Sequence, residues 1–220
     1  MKTVLVTGSS RGIGLALCRQ LHQHGWQVIA TCRKPDIIEA EPFYMKLALS
    51  VDDDESILKL VQSIKEHPID LLINNAGIYQ KGSQNSLETL NRQQILHEFD
   101  VDAVSQLMVS QALLPNLKSA RGMIVNISSL MGSIGDCASA RSYSYRMAKA
   151  ALNMATKVCA LEMEGALKAT IAIHPGYVAT DMTKSGGPGA ITAEEAAAAI
   201  CNTIDNLDPS KVNGCLLSRL

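Results

Sequence analysis

The sequence predicts an α/β fold in which a doubly wound parallel sheet of about seven strands carries helices on both faces. Short runs rich in β-branched residues recur along the chain without the strict polar alternation of a half-exposed strand, which marks strands buried on both sides. Between successive runs lie stretches with helical patterning, long enough to serve as the crossovers a parallel pair requires. The chain has 220 residues, 47% of them hydrophobic and 19% charged. That is ample apolar surface for one core, and the composition is far from that of a disordered chain.

Taken in order, Thr3 to Val6 reads as the first buried strand, closed by Thr7-Gly8, and Gly12 to His24 as the amphipathic helix after it. Gln27 to Thr31 is the second strand and Met45 to Leu49 a third candidate. Helix Asp54 to Glu66 leads to strand Asp70 to Ile73, and one long helix is expected from Arg92 to Asn116. Strand Met123 to Ile127, helix Tyr143 to Gly165, strand Thr170 to Ile173 and helix Thr192 to Leu207 follow, with Gly214 to Leu217 as a last short strand. No internal repeat or seam interrupts the pattern, so residues 1-220 are expected to form a single domain. Lys184-Ser-Gly-Gly-Pro-Gly189 is the one flexible-looking segment, either a loop closing over a substrate or a plain surface turn.

Composition narrows the function classes. A formal net charge of -1 with scattered charges offers no polybasic stripe, so nucleic acid is not an expected partner. No apolar run is long enough to span a bilayer, and the first residues are too short an apolar run for a signal peptide, so no membrane association is expected. Six cysteines without a Cys-x-x-Cys pair suggest reduced thiols in a cytoplasmic setting. The five histidines show no i, i+4 pairing, and no metal site is expected.

The first strand runs directly into Thr7-Gly8-Ser9-Ser10-Arg11-Gly12-Ile13-Gly14 and then a helix. This strand, glycine turn, helix order holds a pyrophosphate. Gly8 would permit the tight turn, Gly12 would let the backbone approach phosphates, and Gly14 would let the helix pack closely on the strand. The N-H groups and dipole of the first helical turn favour the anion, with Ser10, Arg11 and Ile13 between the glycines. In a dinucleotide fold, an acid at the end of the second strand binds the ribose 2′-OH of NAD. The chain has Thr31-Cys32-Arg33-Lys34 there. With Arg33 beside the site and Arg11 in the loop, the absence of an acid suggests a positive clamp and a preference for NADP(H) over NAD(H). Either arginine could instead be a solvated surface charge.

Tyr145-Arg-Met-Ala-Lys149 places a phenol and an ammonium at i and i+4 on one helical face. A tyrosine that exchanges a proton with an alcohol or carbonyl near neutral pH needs its pKa lowered, and a neighbouring ammonium does this. Upstream, Ile127-Ser128-Ser129 ends a strand, so a hydroxyl can reach the carboxyl edge of the sheet where ligands of open α/β folds bind. Either serine could supply it.

The spacing Thr-Gly-x-x-x-Gly-x-Gly, followed in order by Asn74-Asn75-Ala76-Gly77, the serine pair, Tyr-x-x-x-Lys and His174-Pro175-Gly176-Tyr177-Val178-Ala179-Thr180, resembles the short-chain dehydrogenase/reductase family from Thr3 to about Met182. Ser129-Leu-Met-Gly-Ser-Ile-Gly135 and Lys149-Ala-Ala-Leu-Asn153 look closest to its carbonyl-reductase and C-factor-like branch. The resemblance implies a Rossmann domain and an NADP(H)-dependent oxidoreductase, expected to be a carbonyl reductase, acting on a small carbonyl or alcohol. It implies Tyr145 as the proton donor or acceptor, Ser129 as the residue binding the substrate oxygen, and Lys149 as the group that lowers the phenol's pKa and holds the nicotinamide ribose. Asn75, Ala76 and Gly77 would line the adenosine side, and Pro175, Gly176, Val178 and Thr180 the nicotinamide amide. Two positions depart from the family. Asp102 stands where an asparagine usually holds a relay water through its backbone carbonyl, so a carboxylate beside Lys149 would retune Tyr145. Ser50-Val51 replaces an aspartate that often binds adenine, leaving Val51 at that contact. The chain ends soon after its last predicted strand, leaving little tail to shape a substrate pocket. The competing readings are a non-catalytic NADP-binding regulatory or signalling protein of the same fold, and a sugar-nucleotide epimerase, for which the chain offers little room. The long helices around Val101 and Ala148 resemble those that pair in family homodimers and homotetramers.

Overall fold

A computed structural model describes residues 1–80, 83–183 and 186–218. Lys184 and Ser185 of the glycine-rich segment lie outside the described residues, and so does the terminal Leu220. In chain order the elements are β1 (Thr3–Thr7), α1 (Gly12–Gln23), β2 (Gln27–Cys32), β3 (Met45–Ala48), α2 (Asp54–Ile64), β4 (Leu71–Asn74), α3 (Arg92–Phe99), a π-helical turn (Asp100–Val104), α4 (Ser105–Ala112), α5 (Leu114–Ala120), β5 (Met123–Ile127), α6 (Tyr143–Glu162), β6 (Ala169–Ile173), α7 (Ala193–Asn206), α8 (Pro209–Val212) and β7 (Leu216–Leu217). The seven strands form one parallel sheet in the order β3-β2-β1-β4-β5-β6-β7.

Alternate residues along each strand feed two cores, because successive side chains leave opposite faces of the pleat. Val4 and Val6 join Leu17 and Leu21 of α1 and Ile200 and Ile204 of α7 on one side. Leu5, Ile29 and Leu72 pack with Ile57 and Leu60 of α2, Val109 of α4 and Leu117 of α5 on the other. The sheet is therefore buried on both faces, which is why its strands read as unbroken apolar runs. Asp53 caps α2 by accepting from the Glu55 N-H, and Thr192 and Glu195 cap α7 reciprocally.

The expected single helix from Arg92 to Asn116 is corrected. It is divided by the π turn and again at Leu113, where α5 begins with Pro115 in its first turn. Proline has no N-H for the preceding turn and its ring displaces that turn's carbonyl, so the helix restarts. The extra residue in the π turn widens the helix locally and leaves Val101, Asp102 and Ala103 buried.

β1 pairs with β2 on one side and β4 on the other. Strand order reverses there, and the crossovers after β1 and β4 leave for opposite faces of the sheet, which places a crevice at its carboxyl edge.

Candidate active site

β1 ends at Thr7, and the chain turns through Gly8 at φ +68°. A Cβ on Gly8 would lie 2.9 Å from Ala76 Cα, and one on Gly14 would lie 2.3 Å from the Gly8 carbonyl oxygen and 2.5 Å from Asn75 Nδ2. The two loops flanking the crevice are thus in backbone contact. Asn75 Nδ2 donates to the carbonyls of Thr7 and Gly8, while the N-H groups of Asn75 and Ala76 donate to Thr7 Oγ1, all at 2.9 to 3.2 Å. Gly12, at φ +54°, starts α1, whose N-cap Arg11 makes no side-chain capping bond. The first-turn N-H groups are therefore available to an anion.

This loop forms one end of a cleft of about 480 Å³. Gly8, Ser10, Arg11, Gly12, Ile13 and Gly14 lie on its wall, as do Arg33 and Val51 at the β2–β3 end, Asn75, Ala76 and Gly77 after β4, Tyr145 and Lys149 from α6, and Pro175 and Thr180 after β6. Gly176 and Val178, expected there, are not on the wall. Gly176 turns at φ +87° against the Ile191 side chain, and Val178 is buried in a bridge with Ile191. They support the loop from behind. Asp52, one residue past Val51, lines the cleft with its carboxylate accepting from Ser50 Oγ at 2.8 Å. The acidic run Asp52-Asp53-Asp54 was its only signal in the sequence.

Both arginines of the expected clamp lie on the cleft wall. Arg11 is paired with Asp181, across the mouth of the cleft, and both side chains are about two-thirds exposed. A guanidinium so engaged contributes less net charge to a bound phosphate, which leaves Arg33, exposed at the cleft rim, as the available cation.

At the other end, Tyr145 and Lys149 come together as their i, i+4 spacing requires. Lys149 Nζ sits 5.6 Å from the centroid of the Tyr145 ring, donates to the Ile127 carbonyl at 3.2 Å and lies 3.4 Å from Asp102 Oδ1. Asp102 is fully buried, and its Oδ1 also accepts from the Ile78 N-H at 3.0 Å. Burial pushes the Asp102 carboxyl above its usual range, against the opposing pull of Lys149. Asp102 makes these contacts through its side chain. Tyr79 stacks edge-on to Tyr145 with centroids 5.1 Å apart, and its hydroxyl meets Ser142 Oγ at 3.0 Å. No sequence motif marked Tyr79.

The two serines separate. Ser128 Oγ donates to Asn153 Oδ1 at 2.6 Å, so its proton is committed. Ser129 Oγ accepts from the Met131 N-H at 3.1 Å and lies beside the Tyr145 phenol, although Ser128 and not Ser129 is on the cleft wall. Other groups oppose the expected lowering of the tyrosine's pKa by Lys149. Burial first, then the Asp102 carboxylate, push the phenol above its ordinary value, and only the Ser129 hydroxyl is seen to work against them. Lys149 is drawn to Asp102 and the Ile127 carbonyl, so its charge is partly spent there.

A family model described as short chain dehydrogenase matches residues 2–189. The chain belongs to the short-chain dehydrogenase/reductase family. Among its relatives in this family, the 1-hydroxy-2-glutathionyl-2-methyl-3-butene dehydrogenase of Rhodococcus sp. (strain AD45) is 34% identical over 95% of this chain and 93% of its own length. The C-signal of Myxococcus xanthus is 35% identical over 64% of this chain and 84% of its own. Among solved structures, the NADPH-bound carbonyl reductase from chicken fatty liver superposes with a TM-score of 0.89 at 30% identity, covering 99% of this chain and 91% of that one. Membership makes the chain an oxidoreductase of a family that uses nicotinamide cofactors, and the resemblance to the carbonyl-reductase and C-factor-like branch holds. The residues present fit such a cofactor. The glycine turn and uncapped start of α1 suit a pyrophosphate, and the cleft runs on from there to Tyr145 and Lys149. Among the described residues, no helix is long and apolar enough to cross a membrane.

Proposed function

We propose that this protein is an NADP(H)-dependent reductase of small aldehydes or ketones, reversible as an alcohol dehydrogenase. The observation that carries the reading is the Tyr145 phenol at one end of the cleft, beside the Ser129 hydroxyl and the Lys149 ammonium, with the glycine turn at the other end. The reduced nicotinamide, when bound, supplies the hydride. Ser129 donates a hydrogen bond to the substrate carbonyl oxygen and fixes its direction. Tyr145 gives that oxygen its proton as negative charge develops on it, and Lys149 stabilises the phenolate that remains and holds the nicotinamide ribose. Gly8, Ser10, Gly12, Ile13 and Gly14 receive the pyrophosphate, and Arg33 receives the 2′-phosphate. Asn75, Ala76, Gly77 and Val51 flank the adenosine, and Pro175 and Thr180 the nicotinamide amide.

A non-catalytic NADP-binding signalling protein is the second reading, favoured by the likeness to the C-signal. NADPH oxidation measured over a panel of carbonyl compounds separates the two. Turnover of at least one carbonyl is expected, and Tyr145→Phe should reduce kcat by about 10² to 10⁴-fold while NADPH binding persists. Full activity in Tyr145→Phe would contradict the mechanism, and NADPH binding with no turnover of any carbonyl would favour the second reading.

A further inference from the structure

Tyr145 is the third residue of α6 and so lies in its first turn. That turn is the part of a helix most prone to fray, because its N-H groups have no partner within the helix. Lys149 lies a turn further in and is fixed from two sides, by the Ile127 carbonyl and by Asp102. Tyr145 has no such anchors, so its aim depends on how α6 begins. The entry is strained. Arg141 and Ser142 have φ of +75° and +58°, a region that residues other than glycine rarely occupy. Ser142 stands at the N-cap, where an extended backbone is the rule, and its side chain makes no capping bond. The helix therefore does not cap itself.

The cap comes from a distant part of the chain. Asn85, between β4 and α3, is 3% exposed. Its carbonyl accepts the Ser142 N-H at 2.9 Å, its Oδ1 accepts the Tyr143 N-H at 2.8 Å, and its Nδ2 donates to Ser144 Oγ at 3.0 Å. One buried residue thus grips three successive residues, the last of them the neighbour of Tyr145. Among the described residues, the Ser142 and Tyr143 N-H groups have no other acceptor. Two further contacts hold the same turn. The Tyr79 hydroxyl meets Ser142 Oγ, and Arg146 Nε donates to the Arg141 carbonyl at 3.0 Å, but neither reaches those N-H groups. We propose that Asn85 caps α6 from outside the helix and is a positioning residue for Tyr145, holding the strained Arg141-Ser142 turn so that the phenol stays beside Ser129. Asn85 is not on the cleft wall, and the phosphate end of the cleft is built from β1 and α1, so the cap governs the phenol and not the hold on the cofactor.

Amide hydrogen exchange, followed by NMR on the protein without substrate or cofactor, reads the cap directly. In Asn85→Ala the Tyr143 amide should exchange about 3 to 30-fold faster, the effect expected of a lost cap, while amides of β5 and β6 keep their parent rates. Asn85→Asp keeps an acceptor for the Tyr143 N-H and can receive the Ser144 hydroxyl proton, and the helix N-terminus favours its charge, so it should restore slow exchange. Equal exchange in the parent and Asn85→Ala overturns the cap, and acceleration spread over β5 and β6 reduces Asn85 to a general structural part and overturns it too. The kinetic arm rests on the reductase reading above. Asn85→Ala should lower kcat for carbonyl reduction by about 10 to 100-fold with the Kd for NADPH unchanged, and Asn85→Asp should recover most of the loss. An unchanged kcat, or a loss of NADPH binding in step with kcat, would remove Asn85 from the positioning of Tyr145. A parent that turns over no carbonyl sinks the reductase reading and leaves the exchange result standing, so the two failures are distinguishable.

Discussion

Asp102 and an ionised Tyr145 would carry like charge, and this fixes the direction of a pH effect. The carboxylate raises the phenol's pKa, and carbonyl reduction needs the protonated phenol. Asp102→Asn removes that charge and frees Lys149 from its ion pair, and both changes lower the phenol's pKa. The alkaline loss of kcat/KM for reduction should therefore begin at lower pH than in the parent, and superimposable profiles would take Asp102 out of the reaction. Arg33 governs cofactor choice on the same scale. Because Arg11 is engaged by Asp181, a charge-assisted contact worth about 1.5 to 3 kcal/mol should rest on Arg33 alone. Arg33→Asp should then lower kcat/KM for NADPH by about 10 to 100-fold relative to NADH. An unchanged ratio in steady-state assays would move 2′-phosphate recognition elsewhere. The gathering of Tyr145 and Lys149 was legible because i and i+4 meet on any helix, and the glycine turn because its spacing is local. Tyr79 and Asp181 were not legible. Their parts come from contacts with Tyr145 and Arg11, which are distant in the chain and which no local pattern encodes.

At the scale of elements, the strands were legible to within a residue or two, because burial on both faces writes itself as an apolar run. The helix before β5 was not. A π turn adds a residue to one turn without interrupting the apolar pattern on either side, so periodicity reads straight through Asp100–Val104. The chemical consequence is large, since that turn carries Asp102 in against Lys149. Helix α1 shows how closely elements must meet to form the crevice. A methyl group on Gly14 would press on the Gly8 carbonyl, a backbone atom with nowhere to retreat, and on the Asn75 amide that ties the two loops together. Gly14→Ala should destabilise the fold by roughly 1 to 3 kcal/mol and weaken NADPH binding with it. Calorimetry and cofactor titration together check this. A variant with unchanged Tm and unchanged affinity would mean that α1 can move off the loop, contrary to the contacts described.

On the scale of the whole molecule, both faces of the sheet are covered, yet the outer layer is not uniformly polar. Along α6, Met147, Met154, Val158 and Leu161 are at least half exposed, and Val104 and Leu107 are exposed where the π turn enters α4. The α6 residues are spaced by seven, four and three, so they form one stripe along the helix. An exposed apolar stripe rimmed by polar residues is one feature of protein interfaces. A second copy of the same chain, related by a two-fold axis, would cover it isologously, stripe against stripe. The parent is therefore expected to sediment as a dimer or a larger even assembly at micromolar concentration. A double variant, Met154→Glu with Val158→Glu, places like charges opposite one another across such an axis. It should sediment as a monomer with unchanged circular dichroism, since neither side chain belongs to either core. Tyr145 and Lys149 stand on the same helix as the stripe, so loss of the partner should also loosen α6 and reduce turnover. A parent that is monomeric at these concentrations would show that this face is simply solvated, and a monomeric variant with full activity would show that the site needs no support from a neighbour.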